Sequence, residues 1–160
     1  MRDVTEIVQE CFLRLQLTEE VKKVNAVDVL HLPSLVTGYV ECWEIKPIIL
    51  IHGITKRITL YMCFDSSFPF SWPDVYLTDK QFDYLTHIGY DDRKLCLFSN
   101  EEMVNPQKPG EAIEYSLKRA CQLLEENIDG RLNQDFKREI LSYWRYPYNK
   151  ESYNGIGYLL

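Results

Sequence analysis

Apolar residues near the beginning of the chain recur every three or four positions, which is the period of an α-helix. Asp3 and Glu6 have the spacing of a capping box and predict that the helix begins there. The helix can continue, or restart at Thr18, until Pro33 breaks the period. Its apolar stripe would carry Val4, Ile7, Val8, Cys11, Phe12 and Leu15.

Four strand-like stretches follow this helix. They cover residues 36–45, 48–52, 57–64 and 74–77, and apolar residues in the third recur at every second position. The connections between the first three, which read KP and HGITK, are short enough for hairpins, so we expect an antiparallel meander. Pro69 and Pro73 interrupt ladder bonding and predict a rigid turn before a short edge strand.

Regular periodicity is lost between residues 78 and 107, a longer stretch than a routine connection and of a kind that often carries function. Helical order returns at residues 109–130, where Asp129 and Gly130 would end the helix. Its stripe would carry Ile113, Leu117, Ala120, Cys121, Leu124 and Ile128, and a last helix would carry Phe136, Ile140, Tyr143 and Trp144. This order predicts an α+β fold: an N-terminal helix, a four-stranded antiparallel meander, a long irregular segment and C-terminal helices.

The length and charge of the chain limit the number of domains and the kinds of partner that we expect. A chain of 160 residues is the size of one domain. Its 24 acidic residues exceed its 18 basic ones, which argues against a nucleic acid as the main partner. The N-terminus has no apolar signal core, and the longest aliphatic run, IILI, is too short to span a bilayer. We therefore expect a cytoplasmic protein whose partners do not include a membrane.

The cysteines are the candidate chemical groups. The chain has five of them, an odd number with no CxxC pair, so we expect free thiols and neither a disulfide framework nor a metal site. Four lie in predicted helices or strands, where cysteine usually acts as a small buried hydrophobe. Cys96 is the exception, because it lies in the irregular segment, within the sequence KLCLF.

The motifs around Cys96 resemble the ubiquitin-conjugating enzyme family. The run FPFSWP matches the family's proline-rich turn, DVYL its fourth strand, HIG its histidine tripeptide, and LCL, about ten residues later, the site of its active cysteine. The order and spacing of these short motifs carry the resemblance, which extends from the first helix to Trp144. The resemblance implies that Cys96 is the catalytic cysteine and that His87 supports the loop and does not act as a base.

The tripeptide departs from the family pattern in its last two residues. The family has His-Pro-Asn, and its asparagine is thought to support the attacking amine or to stabilise the oxyanion; here the residues are His87, Ile88 and Gly89. Another donor would have to polarise the thioester carbonyl. The candidates are backbone N–H groups near the cysteine and the side chains of Asn100 and Asn105.

Within the family, the pattern resembles that of the bacterial conjugating domains of type II CBASS anti-phage operons. In those systems a ThiF-like adenylating domain, fused or separate, uses ATP to activate the carboxy terminus of a cGAS/DncV-like nucleotidyltransferase. By this resemblance, Cys96 would accept such a C-terminus, or that of a ubiquitin-like protein, and pass it to an amine on a target protein. The conjugating domain itself would need no cofactor.

The resemblance also suggests domain boundaries. Residues 1–145 would form the conjugating-enzyme-like domain, and residues 146–160 a tail or linker toward a further domain. This tail holds four of the 11 tyrosines and ends on two leucines, an unusual composition for a free polar terminus.

Three functions for the protein remain open. An acyl carrier needs an accessible thiol but not a strongly activated one, and the acidic and basic residues at positions 91–94 would shift the pKa of Cys96 in opposite directions. An inactive variant that only binds proteins is the alternative, with Cys96 as a small structural residue and the absent asparagine as the best argument. A cysteine hydrolase using Cys96 and His87 is disfavoured, because no third orienting residue lies at a recognisable spacing.

Overall fold

The computed structural model describes residues 3–15, 20–26, 28, 38–78, 85–89, 93–99, 101–135 and 138. Its elements, in chain order, are α1 (Val4–Leu15), β1 (Val21–Lys23), β2 (Tyr39–Ile45), β3 (Ile48–Ile51), β4 (Ile54–Arg57), β5 (Leu60–Asp65), β6 (Asp74–Tyr76) and α2 (Pro109–Ile128). The α+β class and the order of helix, antiparallel strands, irregular segment and helix are confirmed.

The main sheet has four antiparallel strands in the order β1-β2-β5-β6. Its two central strands are β2 and β5, and Met62 of β5 lies opposite Trp43 of β2 on one side and Val75 of β6 on the other. The two helices and the inner residues of the sheet enclose the core, in which Phe12 of α1 stacks on Trp43 with ring centroids 4.5 Å apart. Every second residue of β5 from Leu60 onward is fully buried in this core, as its alternation predicted.

Two strand assignments differ from the prediction. Residues 21–23, expected as a possible continuation of the first helix, form an edge strand in which Val21 lies opposite Ile45. The predicted strand 48–52 does not join the main sheet but pairs with β4 as a separate hairpin.

A two-residue turn explains the separate hairpin. His52 and Gly53 have positive φ values of 48° and 80°, the geometry that folds a strand directly back on the residues after it. Its base is closed by a hydrogen bond of 3.1 Å from Ile58 N–H to Pro47 O. The predicted strand 57–64 is therefore divided between β4 and β5.

The long helix α2 begins and ends where the sequence predicted. Pro109 occupies the first turn, where a missing N–H costs nothing. Gly130, with φ of 74°, follows the last turn and donates its N–H to Asn127 O at 3.1 Å. The last predicted helix, with Phe136, Ile140, Tyr143 and Trp144, lies outside the described residues, as does the predicted tail 146–160. Within the described part of the chain, no helix is both long and apolar enough to cross a membrane.

Candidate functional site

Backbone pairing fixes the segment that carries Cys96. Cys96 N–H donates to His87 O at 2.8 Å, and Gly89 N–H donates to Lys94 O at 2.8 Å. On the other side, Leu95 N–H donates to Val75 O of β6 at 2.8 Å. The segment is thus held between β6 and the residues around His87 by main-chain hydrogen bonds, which do not depend on particular side chains.

The thiol of Cys96 lies on the outer face of this segment. Its neighbours Leu95 and Leu97 are buried, with 3% and 6% of their surface exposed, whereas Cys96 is exposed. The strand-like sequence KLCLF therefore places its leucines in the core and its cysteine toward solvent. Cys42 and Cys63, by contrast, are buried as predicted.

His87 anchors the loop through its main chain. Its φ of 61° lies in the left-handed region, and its carbonyl oxygen accepts the Cys96 N–H bond. The preceding residue, Thr86, is held by the side-chain amide of Asn127 at the end of α2. Asn127 Oδ1 accepts from Thr86 N–H at 2.9 Å, and its Nδ2 donates to Thr86 O at 3.1 Å. Sequence reasoning did not identify Asn127, because 41 residues separate it from its partner.

An aromatic cluster holds the chain on the other side of Cys96. Trp72, in the proline-rich turn, stacks on Phe98 with centroids 4.0 Å apart, and Tyr115 of α2 lies 5.9 Å from the same indole. The indole Nε1 also donates to Glu102 O at 2.8 Å. Trp72 is therefore a packed aromatic, and it ties the turn to the residues that follow the cysteine.

Cys96 opens onto a cavity of about 420 Å³. The apolar part of its wall comes from Leu97, Phe98, Leu123 and Leu132. Its polar side chains include His87 and Cys96, the carboxylates of Glu102 and Glu126, and the guanidinium of Arg119. The exposed thiol of Cys96 therefore shares one concave surface with these lining residues.

Arg119 is a functional candidate that sequence reasoning missed. Its Nη2 donates to the carbonyl oxygen of Leu97, the residue after Cys96, at 3.3 Å. Its Nε is buried and has no hydrogen-bond partner among the residues that the structure describes. Arg119, Leu123 and Glu126 follow a spacing of four and three residues, so they share one face of α2, but in the sequence this face cannot be told from an ordinary solvated one.

Of the two asparagines predicted as oxyanion donors, the structure describes only Asn105. Asn105 Oδ1 accepts the Gln107 N–H bond at 3.1 Å, and its carbonyl accepts the Lys108 N–H bond at 3.0 Å. Its side chain therefore shapes the turn before α2, and it is not among the described residues that line the cavity. Asn100 lies outside the described residues.

A polar network neutralises the cation nearest to Cys96 in the sequence. Lys94 Nζ lies 2.7 Å from Asp74 Oδ1, and the other oxygen of this carboxylate accepts from the Tyr39 hydroxyl. The hydroxyls of Tyr39 and Tyr76 are 2.5 Å apart. Burial and the hydrogen bond to Asp74 raise the pKa of Tyr39 far above its ordinary value, so the phenol stays protonated. Among the described residues, no group of three or more His, Cys, Asp or Glu side chains is placed to hold a metal ion.

Comparison with known proteins identifies the family of the chain. The model of a family described as prokaryotic E2 family B matches residues 44–152, a span that includes the tripeptide, Cys96 and the whole of α2. No curated protein and no solved structure gives a significant match. Because the match covers more than half of the chain and contains the proline-rich turn, the cysteine segment and the long helix in their expected order, the chain belongs to prokaryotic E2 family B, the bacterial relatives of ubiquitin-conjugating enzymes.

Proposed function

We propose that the protein is a cysteine acyl carrier of the conjugating-enzyme type. In this proposal the sulfur of Cys96 accepts an activated protein C-terminus as a thioester and then passes it to an amine. The observation that carries the proposal is the exposure of Cys96 on a segment whose neighbouring leucines are buried. A core cysteine would point inward, whereas a carrier thiol must meet two macromolecular partners in turn.

The two steps balance as acyl transfers. In the first, the Cys96 thiolate attacks the activated acyl carbon, a C–S bond forms, and the previous carrier leaves as a thiolate or as AMP. In the second, an amine attacks the thioester carbon, a C–N bond forms, the C–S bond breaks, and the amine proton passes to solvent. The thiolate of Cys96 is regenerated.

The partners in this proposal follow from the resemblance and from family membership. A ThiF-like adenylating enzyme or domain would spend the ATP and deliver the acyl group. The donor would be a cGAS/DncV-like nucleotidyltransferase or a ubiquitin-like protein, and the acceptor an amine on a target protein, within anti-phage defence. The match to prokaryotic E2 family B supports an activating enzyme and an acceptor as partner classes.

One observation favours a second candidate, a binding module without transfer activity. Gly89 stands where the family's asparagine would be, and the Asn105 side chain is engaged in the turn before α2. A variant that binds an activated donor but cannot process it would share these features.

Reconstitution separates the two candidates. The protein is incubated with ATP, a ThiF-like adenylating enzyme and the candidate donor, and a thiol-sensitive adduct is sought on a non-reducing gel. Cys96→Ala should abolish the adduct, Cys96→Ser should trap a more stable ester, and the control Cys11→Ala, a half-buried thiol on α1, should leave the adduct unchanged. An adduct that survives Cys96→Ala refutes the carrier assignment, and donor binding without any adduct supports the binding module.

A further inference from the structure

We propose that Arg119 binds the carbonyl oxygen of the thioester on Cys96 and replaces the missing asparagine as the stabiliser of the oxyanion. This inference rests on the proposed carrier function and extends it to a catalytic residue on α2. The ligand of the guanidinium is the terminal acyl carbonyl of a donor protein whose last residues occupy the cavity.

Position is the first argument. Arg119 and Cys96 line the same cavity, and the Nη2 of Arg119 donates to the carbonyl of Leu97 at 3.3 Å. This bond holds the guanidinium against the main chain one residue beyond the cysteine. An acyl group on the sulfur would therefore bring its carbonyl into the space next to a fixed cation.

The unused hydrogen-bonding capacity of Arg119 is the second argument. A guanidinium has five N–H bonds, and the buried Nε–H of Arg119 has no acceptor among the described residues. A buried donor without an acceptor is unfavourable, so the side chain gains when a small rotation turns this N–H bond toward an acceptor in the cavity. A thioester carbonyl supplies such an acceptor only when Cys96 is charged.

Three other donors close to Cys96 in the sequence are already engaged. The N–H of Cys96 donates to His87 O at 2.8 Å, and the N–H of Ser99 donates to Glu102 Oε1 at 2.9 Å. Lys94 is paired with Asp74 at 2.7 Å. Arg119 differs from these groups, because its Nε–H has no acceptor among the described residues.

The chemistry fits this role. When the amine attacks, the electron pair of the C=O π bond moves onto oxygen, and a negative charge develops there before the C–S bond breaks. Arginine stays protonated throughout and can meet this charge with charge-assisted hydrogen bonds without giving up its proton. Its contribution grows as the oxygen becomes negative, which is what accelerates a chemical step.

The test charges the protein with a small probe, so that no activating enzyme is needed. A synthetic peptide ending in Gly-Gly and activated as a mercaptoethanesulfonate thioester is exchanged onto Cys96, and the adduct is located by peptide mass spectrometry. Excess probe is removed, free lysine is added, and loss of the adduct is followed in single turnover. We compare Arg119→Met with Lys118→Met, which removes an exposed positive charge from the neighbouring position of the same helix.

We expect Arg119→Met to charge normally and to discharge roughly a hundredfold more slowly, the typical effect of removing one oxyanion donor. Lys118→Met should discharge at the wild-type rate. Arg119→Lys keeps the positive charge and most of the aliphatic stem, and its discharge rate should lie between those of the other two variants. It replaces Arg119→Met in the test if the Met variant does not fold. Millimolar guanidinium should restore part of the rate in Arg119→Met, a response that a merely structural role would not give.

The outcomes are distinguishable. Normal charging with wild-type discharge of Arg119→Met and Arg119→Lys overturns the role of Arg119 and leaves the carrier function standing. Slow discharge that guanidinium does not restore, together with a lower unfolding temperature, overturns it in favour of a structural role. Absence of any probe on Cys96 in the wild-type protein overturns the carrier function and this inference with it.

Discussion

His87 offers a test of whether the loop is held by its backbone or by its side chain. The residue combines a φ of 61° with a carbonyl oxygen that accepts the Cys96 N–H bond at 2.8 Å. If the backbone is what matters, the imidazole can be removed without harm, provided that the new residue tolerates the left-handed region. His87→Asn and His87→Val form a matched pair, because both lose the imidazole and only asparagine is at ease with this φ.

The expected difference follows from the conformation. The left-handed region costs a residue with a Cβ about 1–2 kcal/mol, and a β-branched residue is a clear outlier there. If the turn opens to relieve this cost, the hydrogen bond to Cys96 is lost instead, at about 1 kcal/mol. In either case we expect His87→Val to lose about 1–2 kcal/mol of stability relative to His87→Asn.

Urea unfolding measures the stability difference, and the rate of Cys96 modification by a disulfide reagent measures the geometry of the segment. His87→Asn should keep the wild-type reaction rate of Cys96, whereas His87→Val should be less stable than His87→Asn and should change that rate. The reasoning is refuted if the two variants are equally destabilised, because the loss would then come from the shared removal of the imidazole.

Three shorter predictions concern the surroundings. Trp72→Phe keeps the stacking but loses the indole hydrogen bond, so urea unfolding should show that the free energy of unfolding falls by about 1 kcal/mol. The control Phe70→Ala, at an exposed position, should change this free energy by no more than about 0.5 kcal/mol. Burial raises the pKa of the Asp65 carboxyl, but hydrogen bonds from two serines outweigh burial and hold that pKa below its usual value. The ionised carboxylate therefore stabilises the fold above the unfolded-state pKa of about 3.9, and this contribution is lost as the pH falls through the folded-state pKa. Asp65→Asn should be less stable than the wild type at neutral pH and equally stable in strong acid. Gly89→Asn, introduced into the Arg119→Met variant, should recover part of the single-turnover discharge rate, and no recovery would mean that position 89 does not reach the thioester.

The elements that the sequence predicted correctly are those specified by neighbouring residues. The stripe of α2 and its end at Gly130 follow from a period and from a residue that accepts positive φ, both of which are local properties. The outward position of Cys96 is also local, because Leu95 and Leu97 on either side of it face the core. The α+β class followed from the order of such elements.

The features that the sequence did not reveal depend on partners far along the chain. Val21 belongs to a strand because Ile45 lies opposite it, and three residues carry too little pattern to show this alone. Asn127 and Arg119 lie on a helix face that would be solvated in isolation. Their roles appear only when Thr86 and Leu97 are brought against that face.

The altered tripeptide changes the chemistry of the site more than its fold. Ile88 lies opposite Leu95 in a bridge whose hydrogen bonds come from the flanking residues, Gly89 to Lys94 and Cys96 to His87. The pairing that positions the cysteine therefore uses main-chain atoms at positions 87, 89, 94 and 96 and does not require the proline or the asparagine of the family motif. What is lost with asparagine is a side-chain donor on the face of the bridge that carries the sulfur. A protein whose main chain positions the thiol can obtain an oxyanion donor from another element, and Arg119 of α2 is the arginine among the described residues that line the cavity.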